Sequence, residues 1–224
     1  MNVVFEGLSG SGKSTMVKQF LEELKNHKIE YNHLPDIHAE TPLKPVLANM
    51  NKDSTLLQMK NEFKTSLFES LVLAGNHHYM QEKFRDKPLN IFDRDIFSVL
   101  SFQKDIILAE YPNNGQEFID AFRKIMFFEL KNIDDIIYVS TPVEICNERI
   151  EKRDKRKLTL SEQMMIYSLK NNMENEILSY CKEHENTSLL MLDGRKPPKQ
   201  NASLIFRHLS DKLKDTRNIS EMER

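Results

Sequence analysis

The chain has 224 residues, 39% of them apolar, enough for one sizeable core with a small lid and too many for a disordered peptide-like module. Its 32 basic and 34 acidic residues leave a net charge of −2, which supplies no broad positive field for a nucleic-acid polymer or an anionic membrane. Two cysteines, Cys146 and Cys181, have neither metal-ligand nor disulfide-framework spacing, and no apolar run reaches the roughly 20 residues that cross a bilayer, so a cytoplasmic protein is expected.

A first strand is predicted at 2–6, where Val3-Val4-Phe5 suits a buried parallel position. It leads into Gly7-Leu8-Ser9-Gly10-Ser11-Gly12-Lys13-Ser14, which satisfies G-x-x-x-x-G-K-[ST] and holds three of the six glycines in the chain. A helix at 13–27 follows, its apolar side built from Met16, Val17, Phe20, Leu21 and Leu24. This order is what phosphate binding requires. Glycine lets backbone N–H groups turn inward around an anion, and the helix presents its positive end to the same point. Gly7, Ser9, Gly10, Ser11, Gly12, Lys13, Ser14 and Thr15 are therefore the expected ATP-binding residues. Lys13 would place a cation against the β- and γ-phosphates, and the Ser14 hydroxyl would coordinate Mg²⁺.

A second strand is expected at 29–34, and Pro35, Pro42 and Pro45 mark an irregular segment after it. A long helix at 54–85 carries His77 and His78, which as neighbours point about a hundred degrees apart and cannot share a metal. The strand at 89–93 ends in Asp93, the candidate Mg²⁺ carboxylate, and Arg94 follows it as a candidate catalytic cation and acceptor ligand. Helices at 95–110 and 115–130, a strand at 135–140 and a helix at 142–153 come next. Arg149 to Lys157 holds six basic residues against two acidic ones. On a helix Arg149 and Arg153 share a face, which Arg156 joins if the turn persists, so a lid at about 149–160 could bring guanidinium groups over the transferring phosphate. A helix at 160–184, a strand at 188–192 and a helix at 198–213 complete the pattern, with a polar tail at 215–224 expected to fray. Five strands separated by crossovers predict a three-layer α/β fold with a parallel sheet, the P-loop NTPase architecture, in a single domain spanning 1–214.

Phe5-Glu6-Gly7 before the loop, and Asp93-Arg94 with Ser98, Phe102 and Gln103 at fixed offsets, resemble the thymidylate kinases. Ile136 to Arg153 resembles that family's strand before the lid, and Leu192-Asp193-Gly194 its ending. The resemblance implies a nucleoside-monophosphate-kinase fold, ATP and Mg²⁺ as cofactors, phosphate transfer to thymidylate and a homodimer. It also implies Lys13, Asp93, Arg94 and Arg153 as the catalytic set, Arg149 and Arg153 on ATP, and Asp36, Phe68, Val72, Asn76, Arg94, Ser98 and Phe102 around the acceptor. Departures gather at the base pocket: Ser9 stands where the family has Asp, Asp95 where it has Tyr, Gly75-Asn76 where it has Asp-Arg, and Leu34-Pro35-Asp36 where it has Arg-Glu-Pro. Val72 replaces the ring that stacks on the base, a role Phe68 can fill from the preceding turn. Two alternatives stay open. One is a kinase of an uncharged hydroxyl acceptor such as a deoxynucleoside, with Asp36 or Asp95 as base. The other is a nucleotide-gated regulatory ATPase.

Overall fold

Val3, Val4 and Phe5 have no exposure at all, so the first strand, β1 (Asn2–Glu6), must be covered on both faces. The computed structural model describes residues 1–34, 45, 70–72, 74–75, 78–79, 88–94, 96–129 and 133–222. After β1 come α1 (Lys13–Asn26), β2 (Asn32–Leu34), β3 (Asn90–Asp93), α2 (Ile96–Glu110) and α3 (Gly115–Glu129). β4 (Asp135–Ser140), α4 (Val143–Asp154), α5 (Leu160–Glu183), β5 (Ser188–Asp193) and α6 (Pro198–Met222) follow. The five strands make one parallel sheet in the order β2-β3-β1-β4-β5. The three-layer P-loop fold expected from the sequence is the fold observed.

The period-2 alternation of the strands divides the core. Val3, Phe5, Ile91, Ile137 and Val139 face α1 and α6, packing on Met16, Phe20, Leu24, Ile205 and Leu209. Val4, Phe92, Ile136 and Tyr138 face the other way, onto Phe97, Phe122, Met173 and Tyr180 of α2, α3 and α5. Each fully buried side chain of this size contributes about 1.5–3 kcal/mol. A third cluster joins Leu8 of the loop after β1 to Val143, Cys146, Ile150, Ile166 and Leu169 of α4 and α5. With β3 and β4 as its neighbours, β1 delivers its loop to the carboxyl edge where the two halves of the sheet part.

Most boundaries fall within one residue of the sequence reading, and three features depart from it further. β2 starts at Asn32 because α1 ends in a left-handed residue, Lys28 (φ 55°), with the Ile29 N–H closing back on the Leu24 carbonyl at 3.0 Å. The basic segment breaks at Lys155 (φ 53°), so Arg156 leaves the α4 face that carries Arg149 and Arg153. α6 continues past 213 to Met222. The expected helix at 54–85 lies mostly outside the described residues, although 70–72, 74–75 and 78–79 are helical. Among the described residues no helix is long and apolar enough to cross a membrane.

Candidate active site

The loop after β1 is held open by contacts from three other elements. Gly10 (φ 79°) and Gly12 (φ 93°) adopt left-handed conformations, and a Cβ on Gly10 would lie 2.6 Å from the Cys146 carbonyl. The Ser11 carbonyl accepts from the Thr141 hydroxyl at 3.0 Å. Arg149 donates to the carbonyls of Gly10 (3.0 Å), Ser11 (3.2 Å) and Gly194 (3.2 Å). With the Gly10 and Ser11 carbonyls tied back by Thr141 and Arg149, loop N–H groups are left to face an anion. Ser11 is itself fully buried, its hydroxyl accepting from the Lys13 N–H at 3.4 Å, while Ser14 and Thr15 are exposed at the helix start.

Lys13 is only 3% exposed, and a lysine so buried requires a counter-charge. Asp93, delivered by β3 next to β1, supplies it in a direct ion pair. The donors suit Mg²⁺: one carboxylate and one hydroxyl, from Asp93 and Ser14, leave positions for phosphate oxygens and water, as that ion prefers. His33 of β2 shares the α1 side of the sheet with Asp93 by strand alternation, and burial together with the charge of Lys13 holds its imidazole below the usual histidine range. Its Nε2 is buried and makes no hydrogen bond among the described residues.

Beside the loop lies a cleft of about 350 Å³ lined by Gly12, Thr15, Arg149, Gly194, Arg195 and Pro197 among others. Its outer wall is stiffened by Asp193, whose carboxylate accepts from the Arg195 guanidinium (2.9 Å) and backbone N–H (2.9 Å) and is thereby pushed down to about 2. The later arginines of the basic run are held differently. Arg153 donates to Asp154 at 2.7 Å and to the Ser9 hydroxyl at 3.3 Å. Arg156 makes a two-pronged pair with Glu162, at 2.6 and 2.9 Å. Glu162 also forms a capping box with Thr159 at the start of α5, a device worth about 1 kcal/mol.

Arg94 follows β3 with a left-handed backbone (φ 70°), and its guanidinium donates to the Ser98 hydroxyl at 3.4 Å. Ser98 donates in turn to the two carboxylate oxygens of Glu6, from its hydroxyl at 2.5 Å and its backbone N–H at 3.1 Å. Phe102 packs against the cluster joining the loop to α4 and α5, and Val72 against the core on the α2 side. Asp36, Phe68, Asn76, His77 and Asp95 lie outside the described residues. Thr159-x-x-Glu162 is a capping signature readable in the sequence, and the basic pair after Gly194 marks a cleft wall; the anchoring of Ser98 by Glu6 has no local signal.

The fold and loop define a P-loop kinase of the nucleoside and nucleotide class. The profile of the deoxynucleoside kinase family matches residues 3–213, and the chain belongs to that family. It is 24% identical over 221 residues to a thymidylate kinase of Blochmanniella floridana, covering 95% of this chain and 96% of the relative. It is 35% identical over 80 residues to a thymidylate kinase of Plasmodium falciparum, covering 36% of this chain and 35% of the relative. A solved deoxyadenosine kinase of M. mycoides, with dCMP as product and dCDP bound, superposes with a TM-score of 0.62 at 19% identity, over 94% of this chain and all of that one. The same enzyme with dATP bound gives 0.61 at 19% identity, again covering 94% of this chain and 100% of the other.

Proposed function

We propose that the protein transfers the γ-phosphate of ATP to the 5′-hydroxyl of a deoxynucleoside. The observation that carries this reading is the family match across 3–213, together with the loop, Lys13 and Asp93 at one edge of the sheet. It moves the acceptor away from thymidylate. Two sequence features agree: Leu34-Pro35-Asp36 lacks the arginine of the thymidylate kinase stretch, and Asp95 beside Arg94 would oppose a second acceptor charge.

With nucleotide bound, Lys13 would turn from Asp93 to the polyphosphate, and Asp93 and Ser14 would be the residues to hold Mg²⁺, which would supply positive charge against the phosphates. The acceptor oxygen forms a bond to the γ-phosphorus as the bond to the ADP oxygen breaks, and the hydroxyl proton passes to a carboxylate, Asp36 or Asp95. Arg94 and Arg153 supply positive charge around the transferring group. The same residues allow a second reading, transfer to a nucleoside monophosphate. Its support is the pattern of Asp93, Arg94, Ser98, Phe102 and Gln103 and the two thymidylate kinase relatives. ADP release measured with thymidine, deoxyadenosine and deoxycytidine against their monophosphates separates the readings. Higher kcat/KM with the nucleosides is expected; faster turnover of a monophosphate would give the assignment to the second reading.

A further inference from the structure

Glu6 ends β1 with no solvent exposure, one residue before the phosphate loop, and its carboxylate is turned from the loop toward α2. A buried carboxylate that takes both the N–H and the hydroxyl of one serine decides which way that hydroxyl points. With its proton committed to Glu6, Ser98 has only lone pairs to offer on its other side, and Arg94 is the donor found there. The left-handed backbone at Arg94 brings the guanidinium back over the first turn of α2, where Ser98 stands. We propose that Glu6 is a positioning residue for Arg94, setting through Ser98 the polarity and aim of the acceptor-side guanidinium.

Replacing Glu6 by glutamine keeps the shape and reverses the polarity. The amide NH₂ would compete with Arg94 for the Ser98 lone pairs, and the displaced hydroxyl hydrogen would face the guanidinium. The inference rests on Arg94 serving the acceptor, so Arg94→Ala is measured beside Glu6→Gln, Ser98→Ala and the double variant, with thymidine and thymidylate as acceptors. Glu6→Gln and Ser98→Ala are each expected to lower acceptor kcat/KM about tenfold while the KM for ATP stays within about twofold. The double variant should lose no more than the worse single, the mark of two residues acting through one contact. Ser98→Thr, which keeps the hydroxyl, should restore most of the activity. A product of the two single losses in the double variant, or a change in ATP or Mg²⁺ dependence in place of acceptor use, would overturn the proposal. Should Glu6→Gln fail to fold, unchanged acceptor use in Ser98→Ala overturns it equally. If Arg94→Ala leaves acceptor use untouched, the reading of Arg94 fails, which is a separate result.

Discussion

Arg149 and Arg156 belong to one basic run, yet the regions they serve are held by opposite kinds of contact. Arg149 spends its donors on neutral carbonyls of Gly10, Ser11 and Gly194, contacts a bound nucleotide has no reason to break. Arg156 is locked to a carboxylate, as Arg153 is in part. A phosphate entering the site must compete with such pairs, as it must with Asp93 for Lys13. The loop is thus braced by neutral contacts within the chain, whereas Arg153 and Arg156 are held by carboxylates that a phosphate could displace. The difference follows from partner type: carbonyls organise a cation without neutralising it.

The comparison can be broken or sharpened by experiment. Lys13→Ala removes the loop's own cation, and transfer should fall about a thousandfold. Turnover within tenfold of the parent protein would end the catalytic assignment. Gly10→Ala forces a Cβ against the Cys146 carbonyl at a φ of 79°. Isothermal titration with ATP should register an affinity lower by tenfold or more, and retained affinity would mean that the loop is not preformed. Arg149→Ala should likewise weaken ATP, by about tenfold, while Arg156→Ala should leave ATP binding within about threefold. Equal losses would erase the distinction between the two ends of the basic run.

Two smaller effects concern pH and stability. Glu162→Ala removes the α5 cap and the partner of Arg156, and should lower the melting temperature by about 4 °C. Arg156 is the main reason the Glu162 carboxyl is held down to about 2, so the stability this pair adds is complete above pH 4.5 and is lost as pH falls from 4.5 toward 2. The penalty of Glu162→Ala should therefore be the same at pH 5 as at pH 7. For His33 the folded state resists protonation, first through burial and then through Lys13, and the unfolded chain binds more protons below 6.5. Stability associated with neutral His33 is present above pH 6.5 and declines as pH falls below it. Urea midpoints of His33→Asn and the parent at pH 7.5 and 5.5 should converge on acidification; a constant gap would remove His33 from the pH response.

Much of the fold was legible because it is written in contiguous residues. A buried strand, a glycine-rich turn and an amphipathic helix follow one another between residues 2 and 26, and each depends on its own side chains. The breaks at Lys28 and Lys155 were hidden because lysine carries no signal for a left-handed backbone. The same limit applied to the site. Lys13 and Ser14 follow from the motif, whereas nothing in the sequence around Glu6 points to Ser98, 92 positions further on.

Sequence by itself determined the parallel α/β architecture, the glycine-rich loop and the basic run at 149–157, since apolar period and residue placement act over a few neighbouring residues. Tertiary structure decided what those charges do. Parallel strands bring Lys13 to Asp93 and Glu6 to Ser98 from far along the chain, and strand alternation sends one carboxylate to the loop and the other to α2. A charge becomes catalytic or structural according to the partner it meets, and that partner is chosen by the packing of the sheet.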